Sequence, residues 1–174
     1  NPVIMLEHKG LYWSKVKGTN DAKTYEPDDE YIIPLGKAYT VQEAAQENID
    51  NGDSLVMITY GMGVHWAKAA SKQHTGAVEI LDLRTLNPLD WEAVIASTKR
   101  HGKVLVLTEE PLMNSFAESL AGRISKECFQ QLDAAVQTLG AANLPAIPLN
   151  VELEKQMLPN ADKVEQAIAE LRAY

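Results

Sequence analysis

Five short apolar runs, at 37–41, 55–60, 77–81, 104–107 and 135–139, are rich in Val, Ile and Leu and read as β-strands. Between them the rhythm changes to helical spacing, at 64–70, 91–99, 116–130 and 161–172. In the last of these, Val164, Ala167, Ile168 and Leu171 recur three and four positions apart and build one apolar stripe. Strands alternating with helices predict an α/β fold: a three-layer domain with a roughly five-stranded, mainly parallel sheet covered on both faces. Residues 1–36 depart from this pattern. The run 2–6 reads as a single strand, and 9–29 is a linker dense in Lys, Gly, Thr, Asp, Glu and Pro. The expected organisation is therefore a strand-plus-linker segment at 1–36 followed by a domain at 37–174.

The sharpest punctuation is Asp82-Leu83-Arg84-Thr85-Leu86-Asn87-Pro88-Leu89-Asp90, which ends a buried strand, turns stiffly and starts a helix within nine residues. Pro88 biases Asn87 away from helix, so the chain must turn there. Asp90 is placed to cap the free N–H groups of the helix that begins at Trp91.

Composition sets bounds. A chain of 174 residues with 45% hydrophobic side chains fits one ordinary domain plus an appendage. Its 16 basic and 24 acidic residues give a net charge of −8, which argues against a nucleic-acid footprint or a polybasic membrane surface and otherwise serves solubility. Cys128, the only cysteine, excludes an internal disulfide and suits a reducing cytosol, so a cytoplasmic location is expected. Neither a long apolar run nor a basic-then-apolar leader is present, and no membrane span or secretory signal is expected.

Candidate chemistry is sparse. In Tyr60-Gly61-Met62-Gly63-Val64-His65, a glycine-rich strand-to-helix turn could receive an anion through Gly61, Gly63 and His65. Trp66 stands where a dinucleotide fingerprint needs its third glycine, and the bland alternative is two glycines that let the chain turn beside a structural histidine. Glu109-Glu110, after the strand at 104–107, could share a proton or a metal, or stand as a solvated pair. His8, His74 and His101 are scattered, and none pairs with Cys128 at metal-ligand spacing.

The 82–90 run resembles the carboxy-terminal domain of the transketolase superfamily. Within it the chain looks like the beta subunit, or a fused alpha/beta chain, of the thiamine-diphosphate-dependent decarboxylating component of 2-oxo acid dehydrogenases. Further pieces follow in family order: Asn1-Pro2-Val3-Ile4-Met5-Leu6-Glu7-His8-Lys9, Ile33-Pro34-Leu35-Gly36-Lys37-Ala38, Ile58-Thr59-Tyr60-Gly61 with Val64-His65, Leu132-Asp133-Ala134 and Leu158-Pro159. There are departures. Asn114-Ser115-Phe116 replaces a common Gly-Gly-Phe, Thr108 a common histidine, and Ser119 a usual glutamate, while Gly140-Ala141-Ala142-Asn143-Leu144-Pro145 keeps only the skeleton of a Gly-x-Asp-Val-Pro loop.

The resemblance implies that 1–36 is the last strand of a preceding pyrimidine-binding domain with its linker. It also implies an assembly domain without catalytic residues of its own. Thiamine diphosphate and magnesium would belong to the parent enzyme, with none bound by this fragment alone. Implied partners are an alpha subunit or fused alpha region, a second copy of the chain, and the subunit-binding domain of a dihydrolipoyl acyltransferase, held by Asp133 and the terminal carboxylate on Tyr174. Tyr12, Trp13 and Tyr25 are candidates for oligomer contacts. Two alternatives stand beside this reading: the corresponding domain of a transketolase or deoxyxylulose-phosphate synthase, and a freestanding anion-binding module.

Overall fold

A computed structural model describes residues 2–12, 19, 22 and 26–174, which form two compact units, Asn1–Pro34 and Leu35–Tyr174. In the first unit, residues 2–8 carry no regular element and lead into a single helical turn, α1 (Lys9–Tyr12). The strand expected at 2–6 is absent. A strand exists only by pairing, and no second strand of its sheet is found among the described residues of this unit. Tyr12 is exposed, whereas Trp13 and Tyr25 lie outside the described residues.

The second unit is the α/β domain. Its elements run β1 (Tyr39–Gln42), α2 (Gln46–Asp50), β2 (Leu55–Thr59), α3 (Met62–Ser71), β3 (Val78–Asp82), α4 (Trp91–His101), β4 (Val104–Pro111), α5 (Phe116–Glu127), β5 (Gln137–Ala141), α6 (Val151–Met157) and α7 (Ala161–Arg172). The five strands lie in the order β1-β3-β2-β4-β5. All neighbours are parallel except β1, which pairs antiparallel with β3 at one edge.

Period-two alternation divides the core between the two faces. Leu55, Met57, Val78, Ile80, Leu105 and Leu107 meet Ala67 and Ala70 of α3 and Val164, Ile168 and Leu171 of α7. Val56, Ile58, Leu81, Val104 and Val106 meet Val94 of α4 and Leu120, Ala121 and Ile124 of α5. Central strands buried on both sides need continuous apolar runs, which is why these stretches are so rich in branched aliphatics.

Most boundaries shift by one or two residues from the sequence reading, and two move further. The helix expected over 116–130 stops at Glu127, because Cys128 leaves helical geometry and a 3₁₀ turn, Phe129–Gln131, redirects the chain toward β5. Strand β4 runs on to Pro111, since β5 pairs with it again at Ala141 beyond a register shift. Glu109 and Glu110 therefore stand on a strand, not in a turn after one.

The 82–90 run clamps the entry to the domain. Asp90 caps α4 by accepting the Ala93 N–H at 3.2 Å, and its other carboxylate oxygen accepts the Ala38 N–H at 3.0 Å. Thr85 Oγ1 accepts the Gly36 N–H at 2.9 Å, and a Cβ on Gly36 would lie 3.0 Å from Pro88 Cγ. The Asn87–Pro88 peptide is cis.

Candidate functional site

The two ends of the parallel strands carry different chemistry. At the carboxyl end, the strand order puts the topological switch point between β2 and β4, the position where open α/β sheets hold ligands. A closed ring of hydrogen bonds fills it here. The Glu110 N–H donates to Thr108 Oγ1 at 3.3 Å, the Thr108 and Tyr60 hydroxyls share a bond of 2.9 Å, and the Tyr60 hydroxyl donates to Glu110 Oε1 at 3.3 Å. The same Oε1 accepts the Ala117 N–H at 3.3 Å in the first turn of α5. Burial pushes the Tyr60 phenol up, the Thr108 bond opposes this, and the Glu110 charge adds to it. Burial also raises the Asp82 carboxyl at the end of β3, against the Arg84 N–H bond of 3.0 Å and the charges of Arg84 and His65.

The structure brings Gly61, Gly63 and His65 to this same end. Gly61 has φ 57° and ψ −127°, a conformation that glycine alone adopts readily. Gly63 answers a different need: a Cβ there would lie 2.0 Å from Thr59 Oγ1, so its bare backbone lets α3 approach β2. Both glycines thus have a backbone reason. The edge they share with Asp82, Glu109 and Glu110 is acidic, which disfavours an anion. Among the described residues no group of three His, Cys, Asp or Glu could hold a metal ion.

The departures at the start of α5 are self-consistent. Asn114 takes φ 58°, which asparagine tolerates better than most side chains, and Ser115 Oγ caps the helix by accepting the Glu118 N–H at 3.0 Å.

At the amino end of the sheet stand Asp133 and Tyr174, far apart in the chain. The Asp133 N–H donates to the Gly102 carbonyl at 2.8 Å, and Gly102, with φ 65°, ends α4. A Cβ on Gly102 would collide with the Asp133 carboxylate, so the glycine makes room for it. The backbone of Asp133 holds the turn, and its side chain is exposed. Tyr174 is 75% exposed and lines a shallow groove of about 360 Å³ with Gln137, Glu170 and Ala173, next to the start of β5.

Two further clusters at this end escape sequence reasoning. Arg172, in the last turn of α7, donates from Nε and Nη2 to the two Asp53 oxygens at 3.0 and 2.5 Å. Its Nη1 reaches His74 Nδ1 at 3.0 Å, and His74 Nε2 lies 3.4 Å from Glu165 Oε1. The Arg172 bond holds the Asp53 carboxyl below its ordinary value. Beneath the other face, Glu79 is 1% exposed and meets Arg100 Nη1 at 2.6 Å and His101 Nε2 at 3.2 Å. Burial would push its carboxyl up, but hydrogen bonds from His101 and Ser97 and the nearby Arg100 charge outweigh that and hold it below the usual range. The available signal was a glutamate inside the apolar run at 77–81 and a helix ending in Lys99-Arg100-His101.

Residues 42–164 match the family model of the transketolase carboxy-terminal domain. Over its full length the chain is 37% identical to half of the 2-oxoisovalerate dehydrogenase subunit beta of Bacillus subtilis (strain 168). Over 97% of its length it is 31% identical to the pyruvate dehydrogenase E1 component subunit beta of Rhizobium meliloti (strain 1021), covering 34% of that protein. A solved split-gene transketolase, an inactive beta4 tetramer, superposes with a TM-score of 0.66 over 84% of this chain and 45% of that one, at 16% identity, which is a likeness of fold. The chain spans about half the length, or less, of the curated relatives it matches.

Proposed function

Since the chain belongs to the transketolase carboxy-terminal domain family, we propose that it is the assembly domain of a thiamine-diphosphate-dependent 2-oxo acid dehydrogenase, in a beta subunit or a fused chain. The whole enzyme would oxidatively decarboxylate a pyruvate-type or branched-chain 2-oxo acid and pass the acyl group to lipoyl-lysine. Similarity running through 97% or more of the chain to beta subunits of two such dehydrogenases supports this.

This chain's own part is to bind other subunits. The observation that carries it is the convergence of exposed Asp133 and Tyr174 on one end of the sheet, in a chain of net charge −8. The Asp133 carboxylate, and Glu170 beside Tyr174, suit a basic partner, and such pairing orients and speeds encounter more than it adds affinity. That partner is the subunit-binding domain of a dihydrolipoyl acyltransferase. Val3, Ile4, Met5 and Leu6, and later Tyr31, Ile32, Ile33 and Leu35, are exposed apolar side chains suited to burial against an alpha subunit or a second copy.

Thiamine diphosphate supplies the carbon chemistry in enzymes of this kind. The described residues do not fit its diphosphate and magnesium, because the carboxyl edge is acidic and carries no three-ligand group. No chemical step is routed through this chain. Sedimentation with the subunit-binding domain, and separately with an alpha subunit, should give complexes, and the chain with thiamine diphosphate, magnesium and a 2-oxo acid should turn nothing over. Turnover by the chain alone, or failure to form either complex, contradicts the reading.

A further inference from the structure

We propose that Arg172 is a positioning residue: by gripping Asp53 and His74 it fixes the last turn of α7, and with it the place of Tyr174 on the docking edge. The inference rests on the docking role proposed for Asp133 and Tyr174 and names what holds that site in shape.

The grip joins three separate parts of the chain. Asp53 precedes β2, His74 precedes β3, and Arg172 closes α7, two residues before Tyr174. Two parallel N–H···O bonds to one carboxylate, at 3.0 and 2.5 Å, use the planar fork of the guanidinium and fix its direction as well as its distance. The third bond, Nη1 to His74 Nδ1 at 3.0 Å, uses another edge of the same group. A guanidinium only donates, so His74 Nδ1 must accept and the ring proton must sit on Nε2, which faces Glu165 at 3.4 Å. Glu165 lies on α7 with Arg172, so one helix supplies both neighbours of the ring, Arg172 hydrogen-bonded to Nδ1 and Glu165 lying close to Nε2 without a hydrogen bond.

Beyond Arg172 little else orders the chain. The Ala173 and Tyr174 N–H groups donate to Glu170 and Leu171 at 3.3 and 3.4 Å, long bonds of a fraying turn, and Tyr174 is three-quarters exposed. Without the guanidinium the last turn would lose its charged tether to Asp53, just before β2.

A positioning role and a plain charge role predict opposite signs. Arg172 puts a positive charge on an edge read as docking a basic partner. If only net charge mattered, Arg172→Gln would tighten binding by removing repulsion. If Arg172 positions Tyr174, the same change weakens it.

The test is calorimetric titration of the full chain with the isolated subunit-binding domain of a branched-chain dihydrolipoyl acyltransferase, for wild type, Arg172→Gln, Arg172→Lys and Asp53→Asn. Amide hydrogen exchange of α7 is followed in parallel without the partner. Loss of charge-assisted hydrogen bonds predicts binding weaker by about fivefold to tenfold in Arg172→Gln and Asp53→Asn, with exchange of the last-turn amides faster by a similar factor. Arg172→Lys keeps the charge without the fork and stays weak. Tighter or unchanged binding in Arg172→Gln, or full binding in Arg172→Lys, overturns the inference while the docking reading stands. If wild type does not bind, the docking reading fails instead. Unchanged last-turn exchange in Arg172→Gln overturns the grip by itself.

Discussion

Asp90 Oδ2 accepts the Ala38 N–H at 3.0 Å while Oδ1 accepts the Ala93 N–H at 3.2 Å, so one carboxylate joins the approach to β1 to the start of α4. Asp90 is 8% exposed, and both bonds are partly buried. Removing a cap costs about 1 kcal/mol, and stranding a buried donor about 1–3 kcal/mol. Asp90→Ala should therefore lose about 2–4 kcal/mol in urea unfolding, with Asp90→Asn between it and wild type.

Glu79 makes stability depend on acid. Its folded-state pKa is held below the ordinary value, so its contribution is fully present above the unfolded carboxylate pKa and is lost as pH falls through the folded one. Glu79→Gln should cost about 3 kcal/mol at neutral pH, because it strands a buried imidazole and a half-buried guanidinium. It should also flatten the decline of the urea midpoint below about pH 5. A variant with the wild-type acid slope would show that other carboxylates set it.

Asp82 works in the opposite sense. Its carboxyl is raised by burial, so ionisation at neutral pH penalises the folded state, and the penalty disappears as pH falls through the raised value. An asparagine oxygen can still accept the Arg84 N–H. Asp82→Asn should melt at or above the wild-type temperature at pH 7, and the gain should vanish near pH 3, as followed by circular dichroism.

The two glycines of the β2–α3 turn are separable. Gly63→Ala forces a Cβ onto Thr59 Oγ1 and should cost about 2 kcal/mol, a typical overpacking penalty. Truncating the neighbour in Gly63→Ala/Thr59→Ala should recover part of that. Gly61→Ala meets nothing within 4 Å, and its cost comes from the backbone conformation, so the Thr59 change should not rescue it. Rescue of both would contradict the separate causes.

The sheet and its covering helices are legible in the sequence because parallel strands buried on both faces are continuous apolar runs and α7 carries a full stripe. Asp90 declares itself because a cap is a local event. By contrast, α2 and α6 are short and bury no side chain and only Met157 respectively, so no periodicity announces them. The antiparallel direction of β1 leaves no mark in its four half-exposed residues. The Arg172–Asp53 grip spans 119 positions, and nothing local selects those partners among the many charges of the chain. The proposed docking edge rests on family likeness at Asp133 and Tyr174 alone, since an exposed aspartate and a tyrosine carry no pattern of their own.

The central claim is that this domain docks a basic partner through the edge bearing Asp133. Calorimetry of the chain with an acyltransferase subunit-binding domain, at low and moderate salt, for wild type and Asp133→Asn, tests it most directly. The account predicts binding that weakens with salt, with a weaker affinity and a shallower salt slope in Asp133→Asn and an unchanged melting temperature. Salt-independent binding, or equal binding by the two proteins, would contradict it.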